Sequence, residues 1–132
     1  MPAGYSGTPQ LTKLGIVPGV RLDLVGAPDG WRFETDPVGI EPAAKDAPAD
    51  VIVAFCVSAA DVERYVPALG ARIRPAGALW IAWPRKAAGH VSDVTENLLR
   101  DVALPLGLVD VKVAAIDTDW SGLKLVWRRQ NR

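Results

Sequence analysis

Two adjacent cations, Arg85 and Lys86, follow an apolar run of strand length at residues 78–83. Cations at the carboxyl end of a buried strand can bind an anion, and a helix that begins nearby adds N–H groups that favour negative charge. The turn at residues 117–122 leaves the next predicted parallel strand, so it lies at the same edge of the sheet. The sequence therefore predicts one ligand-binding edge, whose candidate residues are Arg85, Lys86, Ser92, Thr95, Asp119, Trp120, Ser121 and Lys124.

A structural interpretation of the same residues stays open. Asp117 and Asp119 can form ion pairs with the two cations, while Trp120 covers the core. Both interpretations require the two loops to meet. We expect Arg85 or Lys86 to lie within ion-pair or one-water distance of the turn, with Trp120 packed against one of them. Loops at opposite edges of the sheet would remove the site.

A second candidate site is the turn after residues 20–25, which have the composition of a strand. The turn reads Gly26-Ala27-Pro28-Asp29-Gly30. Turns that bind nucleotides or cofactors normally carry several glycines, which let the backbone approach the ligand and direct N–H groups at it. Pro28 has no N–H and a fixed φ angle. The sequence therefore combines the first strand of a nucleotide-binding domain with a degenerate ligand turn.

Reactive side chains are few. Cys56 lies within an apolar run, where a thiol is an inert core group rather than a nucleophile. His90 stands alone in a predicted loop near Asp93, which favours a solvated or capping role over general-base catalysis. With one cysteine and one histidine, the chain has no cysteine-rich or histidine-rich metal site. We therefore expect no catalytic constellation and no metal.

Composition is typical of an ordinary globular domain. The 132 residues carry 15 lysines and arginines and 15 acids, so the net charge is zero and nucleic acid or an anionic membrane is not an expected partner. The charge is nevertheless uneven: residues 29–50 carry six acids against two cations, and residues 120–132 carry four cations and no acid. We find no run of transmembrane length and no signal-peptide core, and we expect a cytoplasmic protein.

Hydrophobic periodicity and turn residues divide the chain into alternating strands and helices. Residues 1–12 are predicted to form an extended arm, and residues 13–132 a single α/β domain. Pro67 is expected to break or kink the helix that Ser58 begins. The predicted strands are residues 20–25, 38–41, 50–57, 78–83, 108–116 and 123–128. The predicted helical segments are residues 29–37, 58–73 and, capped by Asp93, 93–104.

Several of these segments resemble class I methyltransferases, a branch of the Rossmann-like folds. Residues 14–26 are similar to that family's first motif up to its first glycine, residues 50–57 to its fourth-strand motif, and residues 74–81 to the entry of its fifth strand. The final hairpin is similar to its antiparallel pair of last strands. The resemblance implies a shortened, three-layer α/β fold with a mostly parallel sheet of order 2-1-3-4-6-5, in which only the last strand is antiparallel.

The chain as a whole also resembles a bacterial family of short proteins that is described only as a domain of unknown function. The segments that carry this resemblance are residues 5–9, 13–16, 79–86 and 117–123. It implies a family without implying an activity.

The resemblance to methyltransferases implies S-adenosylmethionine as a ligand of Gly26 and Gly30, with Glu41 as the acid that would hold the ribose hydroxyls. Because the turn is degenerate, we expect no cofactor and weak or absent binding of S-adenosylmethionine. The leading hypothesis is a non-catalytic domain that binds a small molecule or anion beside Arg85 and Lys86. One alternative is a small S-adenosylmethionine-binding protein or methyltransferase-like enzyme. Another is a module that forms a homo-oligomer or binds a partner through the edge of the final hairpin and the basic tail at residues 128–132.

Overall fold

The computed structural model describes residues 8–86 and 92–132. In this part of the chain, six strands form a single sheet, and three α-helices pack against it. The strands are β1 (Arg21–Val25), β2 (Glu41–Pro42), β3 (Val51–Phe55), β4 (Ala78–Pro84), β5 (Leu108–Ala115) and β6 (Trp120–Trp127). The helices are α1 (Gln10–Leu14), α2 (Ala59–Gly70) and α3 (Glu96–Ala103).

The strand order is β2-β1-β3-β4-β6-β5, which confirms the predicted topology. Strands β1 to β4 pair in parallel, whereas β6 is antiparallel to both β4 and β5. A parallel strand in the middle of such a sheet must be apolar on both faces because both faces are covered. Strand β3 meets this requirement, since all five of its residues are buried.

The two faces of the sheet are covered differently. Helices α2 and α3 cover one face, where Ile52 and Ala54 of β3 belong to the same core cluster as Leu99 of α3. Helix α1 and the segment between β1 and β2 cover the other face, where Val53 clusters with Leu14. Successive side chains of a strand point to opposite faces, so β3 supplies both cores. Within the described ranges, no helix is long and apolar enough to cross a membrane.

Helix α2 continues through Pro67, where the sequence predicted a break or kink. A proline inside a helix leaves the carbonyl one turn earlier without its backbone donor. Pro67 is exposed, so water can bind that carbonyl. On the opposite side of the helix, Val62, Val66 and Leu69 are buried against the sheet. Packing of this apolar side therefore outweighs the cost of the proline.

The segment that joins β1 to β2 is irregular, although the sequence predicted two helical turns at residues 29–37. Trp31 and Phe33 pack against the sheet, but they do so from a segment without helical hydrogen bonds. Three positive-φ glycines fall in or beside this segment, among them Gly30 and Gly39. Glycine disfavours a helix because its backbone has more freedom to lose. The rings, rather than local propensity, hold the segment in place.

Residues 10–12 belong to α1 and not to the extended arm that the sequence predicted. The Gln10 side chain explains the difference: its amide nitrogen donates to the Ile116 oxygen at 2.6 Å, and its amide oxygen accepts from the Glu34 nitrogen at 2.8 Å. These partners are distant in sequence, so no local pattern reveals them. The rest of the predicted arm, residues 1–7, lies outside the described residues.

Helix α3 begins at Glu96, three residues later than the sequence predicted. Thr95 is its N-cap, with the hydroxyl accepting from the Leu98 nitrogen at 3.1 Å, whereas the sequence assigned the cap to Asp93. Asp93 instead accepts from the Ala59 nitrogen, at the start of α2, at 2.9 Å. The predicted role of His90 lies outside the described residues.

Candidate functional site

The crevice between the carboxyl ends of β1 and β3 is the first part of the candidate site. Strand β1 pairs with β2 on one side and with β3 on the other, so the strand order reverses at this point. In open α/β sheets, ligands bind outside the carboxyl ends of the strands at such a reversal. Gly26 follows β1 directly and lies beside Phe55 and Tyr65. We call this region the Gly26 crevice.

Gly26 is required here for two independent reasons. Its φ angle is +70°, in the left-handed region that side chains disfavour. A Cβ atom would also lie 3.1 Å from the Phe55 backbone oxygen and 3.3 Å from the Tyr65 hydroxyl oxygen. Gly30, at the other end of the turn, has a similar φ of +78°, but a Cβ atom there would meet nothing within 4 Å. Gly26 therefore lets the backbone pack closely against Phe55 and Tyr65, whereas the space beside Gly30 is open.

Tyr65 is the polar group of the Gly26 crevice. The residue is half-buried on α2, and its hydroxyl receives no hydrogen bond from the described part of the chain. The Arg64 guanidinium lies 4.6 Å from the centre of its ring, and Asp61 holds that guanidinium at 3.2 Å. The ring is therefore positioned by neighbouring charges, while the hydroxyl stays available to a ligand.

The end of β3 adds an apolar surface to the crevice. Val57 lies two residues after the end of β3 and is 57% exposed. The nearby N-terminus of α2 is already satisfied by the protein. Ser58 accepts from the Asp61 nitrogen at 3.2 Å, and Asp93 accepts from the Ala59 nitrogen. A ligand in the crevice would therefore meet Val57 and Tyr65 rather than open helix donors.

Glu41 does not join the Gly26 crevice. It pairs with Arg21 at the start of β1, four residues before Val25, so it lies about 13 Å from the crevice along the strand direction. Strand β2 is too short to carry an acid to the carboxyl edge. Pro28 lies in the turn, where its carbonyl accepts from the Trp31 nitrogen at 3.0 Å. Asp29 is the exposed acid of this turn.

The loop after β4 and the turn between β5 and β6 form the second part of the site, and they meet as predicted. The Arg85 backbone nitrogen donates to the Asp119 oxygen at 2.8 Å. The Arg85 guanidinium lies 3.4 Å from the Asp117 carbonyl oxygen and 3.5 Å from that of Thr118. The antiparallel β6 starts where β4 ends, with Pro84 opposite Trp120, which brings the two loops together. We call this region the Arg85 corner.

A carboxylate and an aromatic cluster connect the two regions. The indole nitrogen of Trp31 donates to Asp117 Oδ2 at 2.9 Å. Asp117 Oδ1 accepts from the backbone nitrogens of Asp119 and Trp120, each at 2.9 Å. The Phe55 ring, at the end of β3, makes edge contacts with Trp31 and Trp120, each with centroids 5.0 Å apart. Asp117 and Phe55 therefore join the turn, the sheet and the irregular segment.

The other residues predicted for the edge are spread over different places. Ser92 donates to the Val57 carbonyl at 3.0 Å, and Thr95 caps α3, so both are near the helix starts. Ser121 lies in β6 opposite Trp83. Lys124 lies opposite both Trp80 and Lys112, three residues further along β6 and away from the edge. Lys86 is exposed next to Arg85.

Sequence reasoning did not find Tyr65 as a site residue, although it is a polar group of the Gly26 crevice. Tyr65 fits the apolar spacing of its helix, a pattern that favours a core position. The signal that was available is chemical: a phenol among aliphatic positions needs a hydrogen-bond partner. Cys56 is different, because complete burial raises the pKa of its thiol to about 12. This supports the expectation that Cys56 is not a nucleophile.

Comparisons with known proteins show the fold. The chain is similar to the Methanococcus jannaschii fibrillarin pre-rRNA processing protein, with a TM-score of 0.56, 12% identity and coverage of 85% of this chain and 68% of that one. A candidate methyltransferase from Thermoplasma acidophilum gives 0.55 and 10%, covering 86% and 70%. Aeropyrum pernix fibrillarin with natively bound S-adenosyl-L-methionine gives 0.51 and 16%, covering 89% and 73%. No family model and no curated protein matches the sequence.

These similarities correct one expectation and support another. The fold is the methyltransferase-like Rossmann fold that the sequence predicted. The expectation of no cofactor is contradicted, because the structures that share the fold include a complex with S-adenosylmethionine. The expectation rested on Pro28 in the turn, and it gave too little weight to the strand reversal and to Gly26. The resemblance to a bacterial family of short proteins stays a prediction.

Proposed function

We propose that this chain is a small S-adenosylmethionine-binding domain and that the Gly26 crevice binds the ligand. The observation that carries the proposal is the position of Gly26. A glycine with a positive φ angle, at which a Cβ atom would lie 3.1 Å from a backbone oxygen, stands directly after β1, at the reversal of the strand order. This is where sheets of this type bind ligands. The bound S-adenosylmethionine in a protein of similar fold supports the choice of ligand.

The residues of the crevice fit the chemistry of this ligand. Gly26 would allow the backbone to approach it closely, and Val57 would offer apolar surface to the adenine ring. The Tyr65 hydroxyl would exchange hydrogen bonds with a polar group such as a ribose hydroxyl. Asp29 would provide negative charge for a ligand that carries an ammonium and a sulfonium group. When bound, S-adenosylmethionine supplies an electrophilic methyl group.

The binding mode that we propose differs from the one implied by the resemblance. Glu41 lies beside Arg21, so the ribose would not be held by an acid at the end of β2. The segment after Gly30 has no helix, so no helix N-terminus faces the ligand from β1. Fewer polar contacts predict a weaker complex, because each hydrogen bond to a bound ligand contributes about 0.5–1.5 kcal/mol.

Isothermal titration calorimetry with S-adenosylmethionine tests the proposal on three proteins: the natural chain, Gly26→Ala and Gly30→Ala. Both substitutions place alanine at a positive φ and incur a similar backbone strain of roughly 1 kcal/mol. Only the Gly26 methyl group enters the crevice. We therefore expect binding by the natural chain, retention in Gly30→Ala and loss in Gly26→Ala, with circular dichroism showing that both variants fold.

Two results would contradict the proposal. One is the absence of heat and of any thermal shift with S-adenosylmethionine in the natural chain. The other is equal weakening by the two alanine variants, because strain in the turn would then explain the effect without a ligand in the crevice.

A further inference from the structure

Five of the ten arginines of this chain form an ion pair with a carboxylate, and Arg85 is not among them. All 15 acids of the chain lie in the described residues. None of them places an oxygen within 4.0 Å of the Arg85 guanidinium. The arginines that do pair with a carboxylate are Arg21, Arg32, Arg64, Arg72 and Arg100. Arg74 instead stacks on the Trp127 ring, at 3.7 Å from its centre.

The contacts that Arg85 does make leave its charge uncompensated. The guanidinium meets two backbone carbonyl oxygens at 3.4 and 3.5 Å, distances at the weak end of hydrogen bonding. Neutral carbonyl groups orient a guanidinium but do not neutralise it. Because the residue is half-buried, its charge is less screened by water than that of a fully exposed arginine.

The Asp117 carboxylate is bound elsewhere. Both oxygens of the Asp117 carboxylate are used, Oδ2 by the Trp31 indole and Oδ1 by the Asp119 and Trp120 nitrogens. Asp117 therefore turns its backbone carbonyl, and not its carboxylate, toward Arg85. The Asp117 carboxylate therefore stabilises the turn itself and does not pair with Arg85.

We propose that the Arg85 corner binds the anionic group of a second small molecule, a carboxylate or a phosphate. A guanidinium offers several donors in one plane and binds such groups in a bidentate manner. Lys86, exposed at the next position, adds a second positive charge. The backbone bond from Arg85 to Asp119 fixes the base of the side chain, which reduces the entropy lost on binding.

The position of the corner suggests the role of this second molecule. Strands β1, β3 and β4 are consecutive neighbours, so the end of β4 lies about 10 Å across the sheet from the end of β1. A small molecule anchored at Arg85 would therefore lie next to a ligand in the Gly26 crevice. This role as a substrate rests on the proposed function, whereas the binding of an anion at Arg85 does not.

Nuclear magnetic resonance tests the anion site directly. The Arg85 Nε–Hε signal is followed while the isotope-labelled natural chain is titrated with sodium phosphate or with sodium citrate, and with sodium chloride at matched ionic strength. We expect a saturable shift with phosphate or citrate and none with chloride. The stronger of the two responses identifies a phosphate or a carboxylate as the preferred group. Arg85→Gln is expected to weaken the binding about tenfold or more, as followed by the Trp120 indole signal.

Arg128→Gln is the matched control, because Arg128 is an exposed arginine that also lacks a carboxylate partner. It is expected to leave the titration unchanged. A response that chloride reproduces, or one that Arg85→Gln retains, would overturn the proposal. Gly26→Ala is expected to keep the anion response, and Arg85→Gln to keep the binding of S-adenosylmethionine. The two proposals can therefore fail separately.

Discussion

The Gly26 crevice and the Arg85 corner lie on the same edge of one sheet but are built on different principles. The crevice depends on shape: a glycine lets the backbone approach the Phe55 carbonyl oxygen and the Tyr65 hydroxyl closely. The corner depends on charge: the Arg85 guanidinium contacts neutral carbonyl oxygens, while the Asp117 carboxylate is bound by Trp31. The edge of a single sheet therefore offers two dissimilar surfaces, one at the end of β1 and the other at the end of β4.

Phe55 contacts both regions, so we expect its substitution to have the largest effect on the free energy of unfolding. Its buried ring contacts both Trp31 and Trp120, and its backbone oxygen borders Gly26. Phe55→Ala is expected to lower the free energy of unfolding by about 3–5 kcal/mol, because it leaves a cavity between the clusters. Urea unfolding followed by tryptophan fluorescence measures it. Phe33→Ala, which removes a half-buried ring, is the control, and an equal loss there would show that Phe55 does not connect the regions.

Substitution of Asp117 is expected to affect the Arg85 corner more than the Gly26 crevice. Asp117→Ala removes the acceptor of the Trp31 indole and of two backbone nitrogens, so we expect the free energy of unfolding to fall by about 1–3 kcal/mol. Anion binding at Arg85 is expected to weaken more than binding of S-adenosylmethionine, because the turn carries the Arg85 contacts. Asp36→Ala, which breaks an exposed ion pair, is the control and is expected to change little. Equal weakening of anion binding and of S-adenosylmethionine binding would contradict the prediction that Asp117 acts mainly on the Arg85 corner.

Tyr65 tests the crevice without disturbing the fold. Tyr65→Phe removes one hydroxyl that has no hydrogen bond within the described residues, so stability is expected to change by less than about 0.5 kcal/mol. S-adenosylmethionine is expected to bind about fivefold more weakly, and the response of Arg85 to phosphate or citrate to stay the same. Calorimetry and the anion titration provide the two measurements. Unchanged affinity for S-adenosylmethionine would remove Tyr65 from the crevice.

The smallest expected effect concerns acidic solution and lies away from both regions. Hydrogen bonding by Arg100 lowers the pKa of Asp110, and hydrogen bonding by Arg21 lowers the pKa of Asp50. A carboxyl whose pKa is lower in the folded protein stabilises the fold above its unfolded pKa of about 3.9, and this is lost as pH falls through the folded pKa. We expect melting temperature to decrease below about pH 4.

Asp50→Asn and Asp110→Asn together should make that decrease shallower, while anion binding at pH 7 stays the same. Melting curves between pH 3 and pH 7 measure the difference. A variant whose acid sensitivity equals that of the natural chain would show that other carboxyls cause it.

The sequence by itself determined most of the strands and helix α2, because hydrophobic pattern is a local property that can be read directly, while the strand order came from the resemblance to methyltransferases. The apolar run of β3 indicated a strand that is buried on both faces, and Ser58 indicated the start of α2. The final alternating segments form the expected hairpin. The sequence also predicted the contact between Arg85 and the 117–122 turn, because the loop after β4 and the turn of the final hairpin lie at the same edge of the sheet. These features follow from chain order and from the period of the side chains.

Only the tertiary structure decided which residues make each site. Glu41 was set apart from Gly26 because β2 stops after two residues, and Tyr65 reached Gly26 because α2 crosses the end of β1. The pairing of Asp117 with Trp31 joins residues 86 positions apart and thereby leaves Arg85 without an acid. Such contacts depend on the distances between packed elements. A sequence pattern predicts which face of a strand or helix a side chain lies on, but it does not predict which distant residue that side chain contacts.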